Sequence, residues 1–168
     1  MEHDGIPQHR DLNAVELYLL RSDFLDACAN LEAAVCRILR SCGDARSTEP
    51  FGHRVQAFRK AEKTNLIAKA NFGQRDQIAD AIAELLPVRA DIVHSAMKIS
   101  LLDGQTTALF TNARTASDDY PVVRLLKAQD FRELIRRVAN LTARTGTLGR
   151  VSPASSPLPP LRDAAGGP

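Results

Sequence analysis

The segment Ile92-Val93-His94-Ser95-Ala96-Met97-Lys98-Ile99-Ser100-Leu101-Leu102-Asp103-Gly104 is where the periodicity of the chain changes, and its reading decides the fold. Upstream, Ile78, Ile82, Leu85, Leu86, Ile92, Val93, Ala96 and Met97 follow the spacing of a helix buried on one side. Pro87 interrupts that pattern and is expected to kink or break it, because proline removes one backbone donor and crowds the preceding turn. Downstream, the short runs Ile99 to Leu102 and Thr106 to Thr111 flank Asp103-Gly104, a dipeptide suited to the positive φ angles of a tight hairpin turn. Helical spacing returns from about Ala128 with Phe131, Leu134, Ile135, Val138 and Leu141. There Glu133 and Arg137 are placed as an i,i+4 pair, and Gly146 is an expected stop.

Working back toward the start, Val15, Tyr18, Leu19, Phe24, Cys28, Leu31, Val35, Ile38 and Leu39 mostly recur three or four residues apart, which predicts one helix from Asn13 to Ser41. Asn13 can cap it and Gly43 can end it. At 1.5 Å per residue it would run roughly 40 to 45 Å, longer than a small core requires unless it kinks or packs on a second subunit. A second amphipathic stretch puts Phe51, Val55 and Phe58 on one face and His53, Gln56, Lys60 and Lys63 on another. The expected architecture is mainly α, an antiparallel helical bundle with a small inserted β-hairpin. Residues 1–11 read as a flexible start, 12–148 as the helical domain and 149–168 as a disordered Pro-rich tail.

The 168 residues allow one ordinary domain and no more. Apolar residues make 44% and charged ones 25%, which argues against a chain that is disordered throughout or embedded in a membrane. The formal charge of +2 is too mild to imply nucleic acid unless basic residues cluster on one face. No export signal is read at the start, and no apolar run approaches the roughly 20 residues of a membrane span. Cys28, Cys36 and Cys42 share no C-x-x-C spacing and have no neighbouring His, which fits a reducing cytoplasm with no metal site and no cofactor, and Cys28 and Cys36 read as buried small hydrophobes. The tail motif Pro157-Leu158-Pro159-Pro160-Leu161-Arg162 fits a polyproline ligand pattern, but any Pro-rich segment with a nearby Arg produces that match, and it reads as a solvated tail.

The chemistry-bearing constellation lies in Leu85-Leu86-Pro87-Val88-Arg89-Ala90-Asp91-Ile92-Val93-His94-Ser95. Arg89 and His94 stand five positions apart, about 140° around a helix, so a pair of such helices across a dimer axis would converge them better than one. Metal-independent cleavage of RNA needs a group to take the 2′-hydroxyl proton and a cation to stabilise the charge that builds on phosphorus; His94 suits the first and Arg89 the second. Asp91 is placed to orient His94. Ser95 forms no triad with its neighbour His94, since adjacent helical residues point about 100° apart.

The Arg-x4-His spacing within Arg89-Ala90-Asp91-Ile92-Val93-His94-Ser95, late in a helical domain, resembles the HEPN superfamily (higher eukaryotes and prokaryotes nucleotide-binding). The resemblance implies an α-helical bundle that dimerises with its motif helices facing each other. Active members are metal-independent endoribonucleases, often toxins of toxin–antitoxin modules or phage-defence effectors, and other members are non-catalytic. Carried over, Arg89 is the family's arginine and His94 its histidine. Ala90 departs from the Asn, Asp or His that commonly follows the arginine in active members, which favours a non-catalytic dimeric interaction or regulatory module over an endoribonuclease. Candidate partners are a second copy, RNA, and an antitoxin or other protein.

Arg59, Lys60 and Lys63, with His53 and Arg54 nearby, are candidates to hold an RNA backbone, against the plainer reading of a solvated basic helix face that lacks aromatic residues for base stacking. Arg132, Arg136, Arg137 and Arg144 invite the same plain reading. The homodimer interface is expected to include the helix from Gln74 to Met97.

Overall fold

The computed structural model describes residues 9–44, 49–61, 67, 71–111 and 123–148. The described chain runs α1 (His9–Ser41), α2 (Phe51–Arg59), α3 (Phe72–His94), β1 (Met97–Leu102), β2 (Gln105–Thr111), β3 (Val123–Leu126) and α4 (Ala128–Thr147). It is mainly helical, with one small antiparallel sheet ordered β1-β2-β3. The expected Pro-rich tail and most of the expected flexible start lie outside the described residues.

At 33 residues, α1 is the spine of the molecule, roughly 50 Å long at 1.5 Å per residue. It starts at His9, four residues before the expected cap at Asn13 and inside the segment read as a flexible start. No Gly or Pro separates His9 from Asn13, so nothing stops the helix from propagating backward. Its other end follows expectation. Gly43 takes φ +76°, its N–H reaches the Arg40 carbonyl at 3.0 Å, and the Asp44 N–H reaches the Leu39 carbonyl at 2.9 Å. Those paired bonds satisfy the last carbonyls in a left-handed turn that glycine adopts most readily.

Leu17, Phe24, Cys28, Leu31, Val35, Ile38 and Leu39 turn the inner stripe of α1 into the core, where it meets Phe51, Val55 and Phe58 of α2, Ile78, Ile82, Leu85 and Ile92 of α3, and Phe131, Val138 and Leu141 of α4. Helix α3 continues through Pro87 without a break. Pro87 and Ala83 are both exposed, so the carbonyl that loses its partner lies toward water, while buried Ile82, Leu85 and Ile92 anchor both sides of the proline.

Cross-helix pairs fix the directions. Arg21 of α1 reaches the end of α3 at the Ile92 carbonyl, whereas Glu32, farther along α1, meets Arg89. Glu84 of α3 pairs with Arg137 of α4, and Asn71 at the start of α3 bonds the Leu148 carbonyl just past α4. Helix α3 is therefore antiparallel to both α1 and α4. The latter two run in the same direction, with Glu16 and Arg132 paired near their starts. The sheet explains this departure from a fully antiparallel bundle, since it takes the chain from the end of α3 and hands it to α4 at the end where α1 begins.

The hairpin forms about its expected turn, with Leu102 opposite Gln105, but α3 ends at His94 and β1 already begins at Met97, read from the spacing as helical, because Ser95 is extended and Met97 pairs with Phe110. Asp103 and Gly104 both take positive φ, +50° and +74°, as a two-residue turn of this hand requires. Strand β3 was not expected. Four residues carry too little alternation to be legible, and it is its antiparallel pairing with β2, Ala108 to Leu126 and Thr111 to Val123, that defines it. Ala108 and Phe110 face the helices, and Phe110 meets Phe131 edge to face at 6.1 Å and 67°.

Helix α4 passes through Gly146 to Thr147 rather than stopping there, because Thr145 and Leu148 are buried and the Leu148 carbonyl accepts from Asn71. The expected Glu133–Arg137 pair is also replaced: Glu133 pairs with Arg136, and Arg137 reaches across to Glu84.

Phe110 and Phe131 are fully buried and join sheet to bundle. Truncating either, Phe110→Ala or Phe131→Ala, is expected to lower unfolding stability by about 3 to 5 kcal/mol in urea titrations. A loss below about 1 kcal/mol would mean that the sheet does not pack as described.

Candidate functional site

The residues around Arg89 and His94 are positioned by three crossing helices. Helix α1 supplies Glu32 between the buried Cys28 and Cys36, α2 supplies Phe51 and Arg54 one turn apart, and α3 supplies Arg89. The Glu32 carboxylate accepts from both arginines, from Arg54 Nη2 at 2.6 Å on Oε1 and from Arg89 Nη2 at 3.4 Å on Oε2. Both guanidinium groups also lie over the Phe51 ring, 5.6 and 5.7 Å from its centroid. Arg54 Nη1 further donates to Cys36 Sγ at 2.9 Å. The three charged side chains keep only 14 to 27% of their surface exposed, so their mutual attraction is screened less than on an open surface.

Arg89 thus faces inward and is held by α1. His94 is exposed at the last turn of α3. The two motif residues open onto different surroundings within one copy, as their 140° separation implies. Asp91 is buried and its carboxylate accepts from Arg124 Nε of β3 at 2.7 Å, which fastens the edge of the sheet to the motif helix. The end of α3 is closed from α1: Arg21 donates to the carbonyls of Ile92, at 3.0 Å, and Ser95, at 3.4 Å. These are the orphan acceptors of a helix terminus, and a cation there also meets the negative end of the helix dipole.

Of the basic candidates, Arg54 lies in this crossing, and the others that are described stand elsewhere. Arg59 is engaged by Asp80 of α3, Lys60 is exposed at the end of α2, and Lys63 lies outside the described residues. His53 is exposed beside Glu49, at 3.9 Å. Sequence reasoning missed the roles of Glu32, Arg124 and Arg21. For Glu32 a signal exists, a lone acid between two apolar positions of a buried stripe, whereas Arg124 and Arg21 acquire their roles from tertiary contacts 33 and 71 residues away.

Cys28 and Cys36 are buried, as their apolar reading requires, and Cys42 bonds the Ile38 carbonyl through its thiol. Burial pushes the Cys28 thiol from its ordinary 9.0 up to about 11; Arg89 pulls it down and Glu32 raises it, both less strongly. No group of three His, Cys, Asp or Glu side chains is placed to hold a metal ion among the described residues. No described helix is long and apolar enough to cross a membrane. No family model, curated protein or solved structure matches this chain.

The Cys28 environment has a signed pH consequence. An unfolded cysteine loses its proton near 9.0 while the native thiol keeps its proton to about 11, so unfolding releases a proton between these values and stability falls as pH rises through them. The loss attributable to Cys28 is expected to reach about 2 to 3 kcal/mol by pH 11, and Cys28→Ala is expected to remove that part of the slope in pH-dependent urea unfolding. An unchanged slope in the variant would contradict the burial of the thiol.

Proposed function

We propose that this chain is a HEPN-like helical protein that acts as a dimeric interaction or regulatory module, with Arg89 and Asp91 in structural roles. The observation that carries this reading is the engagement of Arg89: its guanidinium is shared between Glu32 and the Phe51 ring instead of standing open beside His94. Asp91, likewise, is committed to Arg124. A cation held inside a helix crossing by a carboxylate and an aromatic ring is poorly placed to meet charge developing on a phosphate, and withdrawing it would leave Glu32 and Arg54 to rearrange. Ala90 at the position after the arginine agrees with this reading.

A second copy is the partner favoured by the surface beside the motif. Val15, Tyr18 and Leu19 sit three and four residues apart on α1 and stand 54, 52 and 61% exposed. Arg21, one turn beyond Tyr18, reaches the carbonyls at the end of α3, so this apolar stripe adjoins the turn that carries the half-open Val93 and exposed His94. An interface centred on the stripe would bring the two copies of that turn toward one another, as a two-fold axis requires of an isologous contact. The exposure of His94 favours the second reading, a metal-independent endoribonuclease whose site is completed across the dimer.

Sedimentation at micromolar concentration is expected to return a dimer, and Tyr18→Glu with Leu19→Glu a folded monomer. A strictly monomeric wild type would overturn the module. Incubated with RNA in chelator, the wild type is expected to leave the RNA intact; cleavage that His94→Ala reduces by about two to four orders of magnitude would instead establish the nuclease.

A further inference from the structure

One stripe of α1 not used by the core runs Asn30, Ala33, Arg37, Arg40, each one helical turn or so from the last. Opposite it, α4 presents Ala139 and Ala143 on one face, and α2 contributes Arg54 at one edge. Because both helices carry alanine where they face each other, the groove between them stays open as a cleft of about 860 Å³. That volume is in the range of small-molecule sites rather than of a packing defect.

The charges of this cleft are unbalanced. Three arginines line it against one carboxylate, Glu32, and Glu32 is already shared between Arg54 and the neighbouring Arg89. Arg37 and Arg40 are exposed and meet no acidic partner among the described residues, whereas Arg59, Arg132, Arg136 and Arg137 are all paired. Arg54 is committed to Glu32 and Cys36 and adds only its charge to the edge of the cleft, which leaves Arg37 and Arg40 as the arginines open to a ligand. Guanidinium groups present planar forks of donors that match the oxygens of a phosphate, and alanines offer an apolar floor with no side chain to displace.

We propose that the cleft between α1, α2 and α4 binds a small phosphorylated organic molecule, its phosphate held by Arg37 and Arg40 at the rim, and its apolar part lying on Ala33, Ala139 and Ala143. The cleft borders the crossing that holds Arg89, with Glu32 and Arg54 common to both, but the proposal does not rest on the dimeric reading above.

The test is calorimetric titration of the full chain at low salt with three probes: 1-naphthyl phosphate, inorganic phosphate and uncharged 1-naphthol. Saturable binding of 1-naphthyl phosphate is expected, at least about tenfold tighter than either fragment. Arg37→Gln with Arg40→Gln is expected to weaken it by about tenfold or more. Ala139→Trp, which fills the floor while keeping every charge, is expected to weaken it as well. Arg132→Gln with Arg136→Gln removes the same charge outside the cleft, on α4, and is expected to leave it unchanged, and circular dichroism checks that each variant is folded. Equal loss in both double variants, no saturable binding to the wild type, or binding of a single-stranded oligonucleotide without any affinity for 1-naphthyl phosphate would overturn the proposal.

Discussion

Glu32 is the constraint on which the arrangement of the helices turns. A single carboxylate on α1 holds Arg54 of α2 and Arg89 of α3 at once, and both guanidinium groups share the Phe51 ring as their apolar support. With two cations and one anion in a largely shielded crossing, Glu32 is the group that cannot be lost without leaving two like charges facing each other. The shorter bond, to Arg54, sets the stronger half of the interaction, and the longer one, to Arg89, positions the motif helix against the spine.

Two further polar links extend that constraint to the end of α3. Arg21 closes its last carbonyls from α1, and the Asp91–Arg124 pair fastens it to the sheet. The segment from Arg89 to Ser95 is therefore fixed by α1, α2 and β3 together, and His94 emerges from a rigid base instead of a mobile loop. Rigid presentation of an exposed residue beside an apolar stripe is what a specific protein interface requires, because little conformational freedom is then lost on association.

Much of the architecture was legible in the residues. The change from helical spacing to alternation showed that a helix is followed by a hairpin, although the boundary falls at His94 and not after Met97; Asp103-Gly104 located the turn, and Gly43 located the end of α1. Asn13, Pro87 and Gly146 are local boundary signals that the helices override. At Pro87 and Gly146 burial on one side of the helix outweighs a local preference worth about 1 to 3 kcal/mol, and before Asn13 no Gly or Pro stops the helix from running back to His9. Strand β3 is too short to signal itself and exists through its pairing with β2. At the site, the sequence picked out Arg89, Asp91 and His94 but not their partners. Spacing places residues on a helix face, whereas which charge on another helix answers them depends on a crossing between segments far apart in the chain.

The central claim, that Arg89 is bound structurally to Glu32, is most directly tested by a double-mutant cycle with Glu32→Gln and Arg89→Met, read by urea unfolding. Each single variant is expected to lose about 1 to 3 kcal/mol, with a coupling energy of about 1 to 2 kcal/mol between them. Full stability of Arg89→Met with zero coupling to Glu32 would contradict the account and return Arg89 to the surface as a residue free for chemistry.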